Sequence, residues 1–166
     1  MGKSLYLLRH GRAMEKASGQ NDIDRQLDAM GLQNSSRMGM KLKEDDLRFE
    51  MIIASPAERA LTTASLIAEQ VGYDPARIHI NEEIYEASVR SLLQAVNNFK
   101  DTWDTVLVVG HNPSLSYLTE YISDAEVGSI ATCGLIHITF DSDSWGEVSQ
   151  GTGNFESYVH PDLLNF

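Results

Sequence analysis

The chain has 166 residues, 42% of them apolar and 22% charged, which fits one globular domain over 1–166 with a full core. Its net charge of −11 leaves no broad basic face, so nucleic acid and anionic membrane are excluded as main partners. A small anion held by a few convergent cations is not excluded. Cys133 is the only cysteine, which rules out an intrachain disulfide and a thiolate metal cluster and reads as a packed thiol. No stretch approaches the ~18 apolar residues of a membrane span, and the chain opens directly into a strand without a signal peptide. The expectation is a cytoplasmic monomer.

Leu5-Tyr6-Leu7-Leu8 is an apolar run that ends in Arg9-His10-Gly11. A short run of this kind reads as a strand buried on both faces, with Gly11 allowing a sharp turn and a close ligand. Residues 12–26 are polar and aperiodic, a loop long enough to lie over the end of a sheet. Asp28 is a plausible N-cap for a helix whose face is Leu32, Ser35, Met38, Gly39 and Leu42. Residues 49–54 form a second buried strand. Ser55-Pro56-Ala57-Glu58 then reads as a capping box with a proline start, and the helix it opens stops at Gly72. Arg59 falls in the first turn of that helix, where a cation opposes the dipole unless an anion binds there.

Ile78-His79-Ile80 is a third strand, followed by a loop holding Glu82, Glu83 and Glu86. Residues 88–99 form an amphipathic helix with Val89, Leu92, Leu93 and Val96 on one face. Residues 105–109 are the clearest buried strand and end in Gly110-His111-Asn112-Pro113, with Asn112 capping a helix that runs from Ser114 to about Ser123. The spacing then predicts a hairpin of 135–140 and 145–150 around a turn at 141–143. Residues 151–166 carry no assignable pattern.

Alternating strand, turn and helix predicts an α/β fold, a mostly parallel sheet with helices on both faces and an antiparallel hairpin at the C-terminal edge. The carboxyl ends of parallel strands share one edge, where such sheets bind ligands. Arg9, His10, Arg59 and His111 therefore converge on one crevice. Each has an ordinary reading as a solvated or packed side chain, but their joint placement in an acidic chain points to a tetrahedral dianion. A neutral His10 can attack phosphorus, while Arg9 and Arg59 bind the non-bridging oxygens. A protonated His111 would add a donor. A phosphate ester also needs an acid for its leaving oxygen, and Glu82, Glu83 or Glu86 could supply it. No metal or other cofactor is required.

Three stretches carry a resemblance. Leu8-Arg9-His10-Gly11 is similar to the Arg-His-Gly signature of the histidine phosphatase superfamily, the phosphoglycerate-mutase-like group. Residues 55–64 resemble its second arginine motif, and Val108-Val109-Gly110-His111-Asn112-Pro113 its second histidine motif. The resemblance implies a three-layer phosphoglycerate-mutase-like fold. His10 is then the phosphorylated nucleophile, with Arg9, Arg59 and His111 in the phosphate pocket. The short chain and the Gly-His-Asn-Pro form resemble the SixA-type branch, which acts on protein phosphohistidine. In the superfamily the acid is often a Glu after the third strand, so Glu82 is preferred to Glu83. The rival readings are a phosphatase of a small phosphorylated metabolite and a phosphate-binding adaptor without turnover. An intact nucleophile counts against the adaptor.

Overall fold

A computed structural model describes residues 2–164. Its sheet is built on β1 (Lys3–Arg9), whose alternate side chains serve two different cores. Leu5 and Leu7 point with Val106 and Val108 into one core, and Leu8 points with Leu107 and Val109 into the other. The neighbour that makes this possible is β4 (Thr105–Gly110), paired parallel to β1 with Arg9 opposite Gly110. Beyond β4 lie β2 (Met51–Ala54) and β3 (His79–Ile80), also parallel. On the other side of β1, β5 (Leu135–Phe140) runs antiparallel to β1 and β6 (Gly153–Val159) antiparallel to β5, giving the order β3-β2-β4-β1-β5-β6.

Two helices cover each face. α1 (Ala29–Glu44) and α2 (Glu58–Val71) pack on the Leu8 side through Met38, Leu42 and Ile67. α3 (Val89–Asn97) and α4 (Ser114–Ser123) pack on the Leu5 side through Leu92, Val96, Leu115 and Ile122. The expected mostly parallel α/β sandwich is therefore the observed one. No helix among the described residues is long and apolar enough to cross a membrane.

Local signals behave as expected at most boundaries. The Asp28 side chain accepts from the Gly31 amide at 2.7 Å and caps α1. Ser88, read as the first helical residue, instead caps α3 in a reciprocal box with Ser91. Gly72 ends α2 in the left-handed region, where a glycine costs least. The buried face of α1 differs by one position: Leu32 is exposed, and Gly31 is buried instead. A side chain at Gly31 would clash with the Arg12 carbonyl, so this glycine lets the loop after His10 lie directly on the helix.

Three expectations need correction. Ser55 does not cap α2, which starts at Glu58 with Ala57 at the N-cap and no side-chain cap. The Ser55 hydroxyl accepts from the Ala57 amide and is also drawn 2.7 Å from His111 Nε2. Asn112 likewise sits one residue too early to cap α4, and its amide instead donates to the Ile130 carbonyl at 2.9 Å. The second arm of the hairpin is not 145–150 but β6. Trp145 is fully buried, with its ring edge-on to Phe99 and its indole N–H donating to the Trp103 carbonyl. Burying that indole tucks residues 145–147 into a 3-10 turn under α3, and the unassigned tail takes the edge-strand position.

Candidate active site

β1 delivers Arg9 and His10 to the carboxyl edge of the sheet, and β4 delivers His111 beside them. The register that sets Arg9 opposite Gly110 puts the His10 and His111 rings 5.0 Å apart. The His10 amide donates to the Gly110 carbonyl at 3.1 Å, which continues the ladder past the strand end. α2 delivers Arg59 from its first turn. Thr63 holds this junction together: its hydroxyl donates to the Arg59 carbonyl and accepts from the Gly11 amide. The four residues expected to converge do so, lining a crevice of about 570 Å³.

His10 is buried, and its Nδ1 lies 2.7 Å from the Gly11 carbonyl. A carbonyl only accepts, so Nδ1 carries the proton and Nε2 keeps its lone pair. Burial pushes the His10 pKa down to about 4, and Arg59, Arg9 and Arg25 push the same way. His111 is pushed down to about 3 by burial, then by His10 and Arg59, with Asp22 opposing. Both imidazoles are therefore neutral at pH 7 as these side chains stand, so His111 is not a charged donor before an anion arrives. An arriving phosphate dianion would raise both values.

The unfolded chain takes protons on these histidines near pH 6.5, while the folded chain refuses them until about 4 and about 3. In that window the unfolded state binds more protons, so folding stability falls as pH drops. Urea midpoints at pH 7 and pH 5 should differ, His10 alone contributing roughly 2 kcal/mol. A variant lacking both rings should lose most of that difference, and an unchanged slope would contradict the assignment.

Arg9 donates from Nη1 to the Ile130 carbonyl at 2.8 Å, and its buried Nε has no partner among the described residues. Arg59 is anchored twice on one residue that the sequence did not single out. Its Nη1 donates to the Asp22 carbonyl at 2.7 Å and its Nη2 to Asp22 Oδ2 at 2.9 Å. The same Oδ2 accepts from the Tyr85 hydroxyl at 2.7 Å, and Oδ1 accepts from Arg25 Nη1 at 3.1 Å. The Tyr85 hydrogen bond first, then Arg25 and Arg59, hold the Asp22 carboxyl far below the usual carboxylate range. The cation that opposes the α2 dipole is thus compensated from the loop after β1. Asp22, Arg25 and Tyr85 all line the crevice.

The three candidate acids separate. Ile84, 1% exposed, is anchored in the core and fixes the 3-10 turn Glu82–Ile84, on which Glu82 and Glu83 are exposed. Neither lines the crevice; Glu86 does, carried round by its own left-handed φ of 55°. Of the three candidate acids, the fold places Glu86 at the crevice and leaves the preferred Glu82 away from it. Among the described residues no three His, Cys, Asp or Glu side chains group so as to hold a metal ion.

The model of the histidine phosphatase superfamily, branch 1, matches residues 5–94. The chain belongs to the histidine phosphatase superfamily. That places it among phosphatase-type hydrolases, and it shares their fold over nearly its whole length. A SixA protein histidine phosphatase solved as a complex with tungstate superposes with a TM-score of 0.81 at 24% identity, over 98% of this chain and 99% of that one. A SixA phosphohistidine phosphatase structure from Agrobacterium tumefaciens gives 0.80 at 23% identity, over 97% and 99%. In sequence, an uncharacterized protein of Picosynechococcus sp. is 28% identical over 130 residues, 75% of each chain.

Proposed function

We propose that this histidine phosphatase superfamily member removes phosphate from phosphohistidine on another protein, through a phosphorylated His10. The observation that carries the mechanism is the 2.7 Å contact of His10 Nδ1 with the Gly11 carbonyl, which leaves Nε2 as the nucleophile amid Arg9, Arg59 and His111.

The Nε2 lone pair forms a bond to phosphorus as the substrate P–N bond breaks, its electron pair returning to the leaving ring. A substrate ring protonated at its other nitrogen departs as neutral imidazole and needs no further acid. Arg9 and Arg59 hold the non-bridging oxygens and match their charge in the transition state. Water then attacks the phosphohistidine of the chain. The P–N pair returns to Nε2, and both water protons remain on the product as dihydrogen phosphate. His111 contributes one N–H or, once a dianion has raised its pKa, a charged donor.

Two observations support a protein substrate. The crevice opens to the surface, with the Asp22 side chain 45% and the Arg12 side chain 65% exposed at its mouth. The fold is also that of a structure described as a protein histidine phosphatase. A small phosphate ester is the second reading, favoured by Glu86 at the crevice as an acid for a leaving oxygen. Phosphate release from a phosphohistidine-bearing carrier protein, measured beside a panel of small esters, separates the two. Faster release from the protein is expected. Turnover of small esters alone would overturn the substrate and keep the mechanism.

A further inference from the structure

Asp22 sets a carboxylate in the mouth of a crevice otherwise built for an anion. Three of its roughly four acceptor positions are taken: two on Oδ2 by Tyr85 and Arg59, and one on Oδ1 by Arg25. One position on Oδ1 remains on a side chain that is 45% exposed. The carboxylate is thus fixed in place, charged, and still open to a ligand. A phosphate ester gains nothing from this, since its oxygens and the carboxylate repel each other. A phosphorylated group with a cationic N–H beyond phosphorus gains a charge-assisted hydrogen bond.

Resting on the function proposed above, we infer that Asp22 is a specificity-determining residue that selects substrates whose leaving group is cationic, such as the imidazolium of phosphohistidine, over phosphate esters whose leaving group is uncharged. Its carboxylate accepts the ring N–H while the P–N bond breaks. The proton stays on that nitrogen throughout, and the ring leaves neutral. Through Arg59 the same residue also orients the phosphate-binding fork, so a loss of activity on its own says nothing of selection. The ratio between matched substrates does.

The test compares the native chain with Asp22→Asn and Asp22→Glu on two matched pairs near pH 6. The first is one peptide bearing phosphohistidine or phosphoserine; the second is ethanolamine phosphate against ethyl phosphate. The native chain should prefer the cationic member of each pair by kcat/KM. Asp22→Asn should reduce that preference about tenfold, and Asp22→Glu should restore part of it. Equal losses on both members of a pair would overturn the inference and leave Asp22 as a positioning residue for Arg59. If phosphohistidine is not turned over but ethanolamine phosphate is preferred and Asp22→Asn removes the preference, the phosphohistidine reading fails and the inference stands.

Discussion

His10→Ala should lower kcat/KM by about a thousandfold or more and abolish transfer of labelled phosphate onto the chain. The reason is local. In the proposed mechanism Nε2 is the atom that takes phosphorus, and His111, the other imidazole at the crevice, is held by Ser55 at 2.7 Å through its own Nε2. The surrounding cations survive the change, because Arg9 is anchored on Ile130 and Arg59 on Asp22, not on His10. Vanadate or orthophosphate affinity should therefore stay within about tenfold of the native value. Circular dichroism should be unchanged, since both cores are assembled from residues other than His10. Full turnover by this variant, or persistent acid-labile labelling of the chain, would remove His10 from the mechanism.

Arg59→Ala is the second large effect, and it acts on binding as well as on rate. Two losses coincide. The phosphate loses a planar donor fork, and Asp22 loses the partner that fixes both its carbonyl and its Oδ2. A carboxylate then remains at the crevice with one charge fewer opposing it. A fall in kcat/KM of about 10²–10³ is expected, with vanadate affinity down at least about tenfold by calorimetric titration. Arg59→Lys should recover only a part, because an ammonium cannot hold Asp22 and the phosphate through separate nitrogens. Unchanged vanadate affinity in Arg59→Ala would place Arg59 outside the phosphate site. The two variants also separate from each other: the first keeps oxyanion binding without chemistry, and the second weakens both.

What could be read from the residues in order is what short-range pattern controls. The buried runs of β1 and β4 announce themselves, as do the glycines and polar residues that end them. Their convergence follows from the parallel-sheet rule, so Arg9, His10, Arg59 and His111 were legible together. Asp22 was not. Its meaning lies in a hydrogen bond to a tyrosine 63 residues away and in a contact with Arg59 across 37, and nothing in an aperiodic polar loop marks it. Ser55 shows the opposite failure. Its local pattern is that of a helix cap, but a tertiary partner, His111, claims the hydroxyl. The choice among Glu82, Glu83 and Glu86 turned on the direction in which Ile84 pulls one tight turn, which spacing does not encode. β6 was hidden because edge strands with exposed side chains lack apolar alternation; pairing with β5 makes it a strand.

The Arg9–Gly110 register has a consequence for how this protein acquires and keeps its activity. Its two crevice histidines directly follow strands about a hundred residues apart, and closing so long a loop is favourable only once the sheet around it has formed. The proposed oxyanion binding is therefore a property of the completed fold, absent from a chain still missing β4 during synthesis. The same geometry runs in reverse. A ligand held by both strands fastens the two ends of that loop, and its binding free energy adds to the stability of the whole sheet by mass action. Cellular phosphate, the product of the proposed reaction, would then act as a weak chaperone of the folded chain even while it competes with substrate.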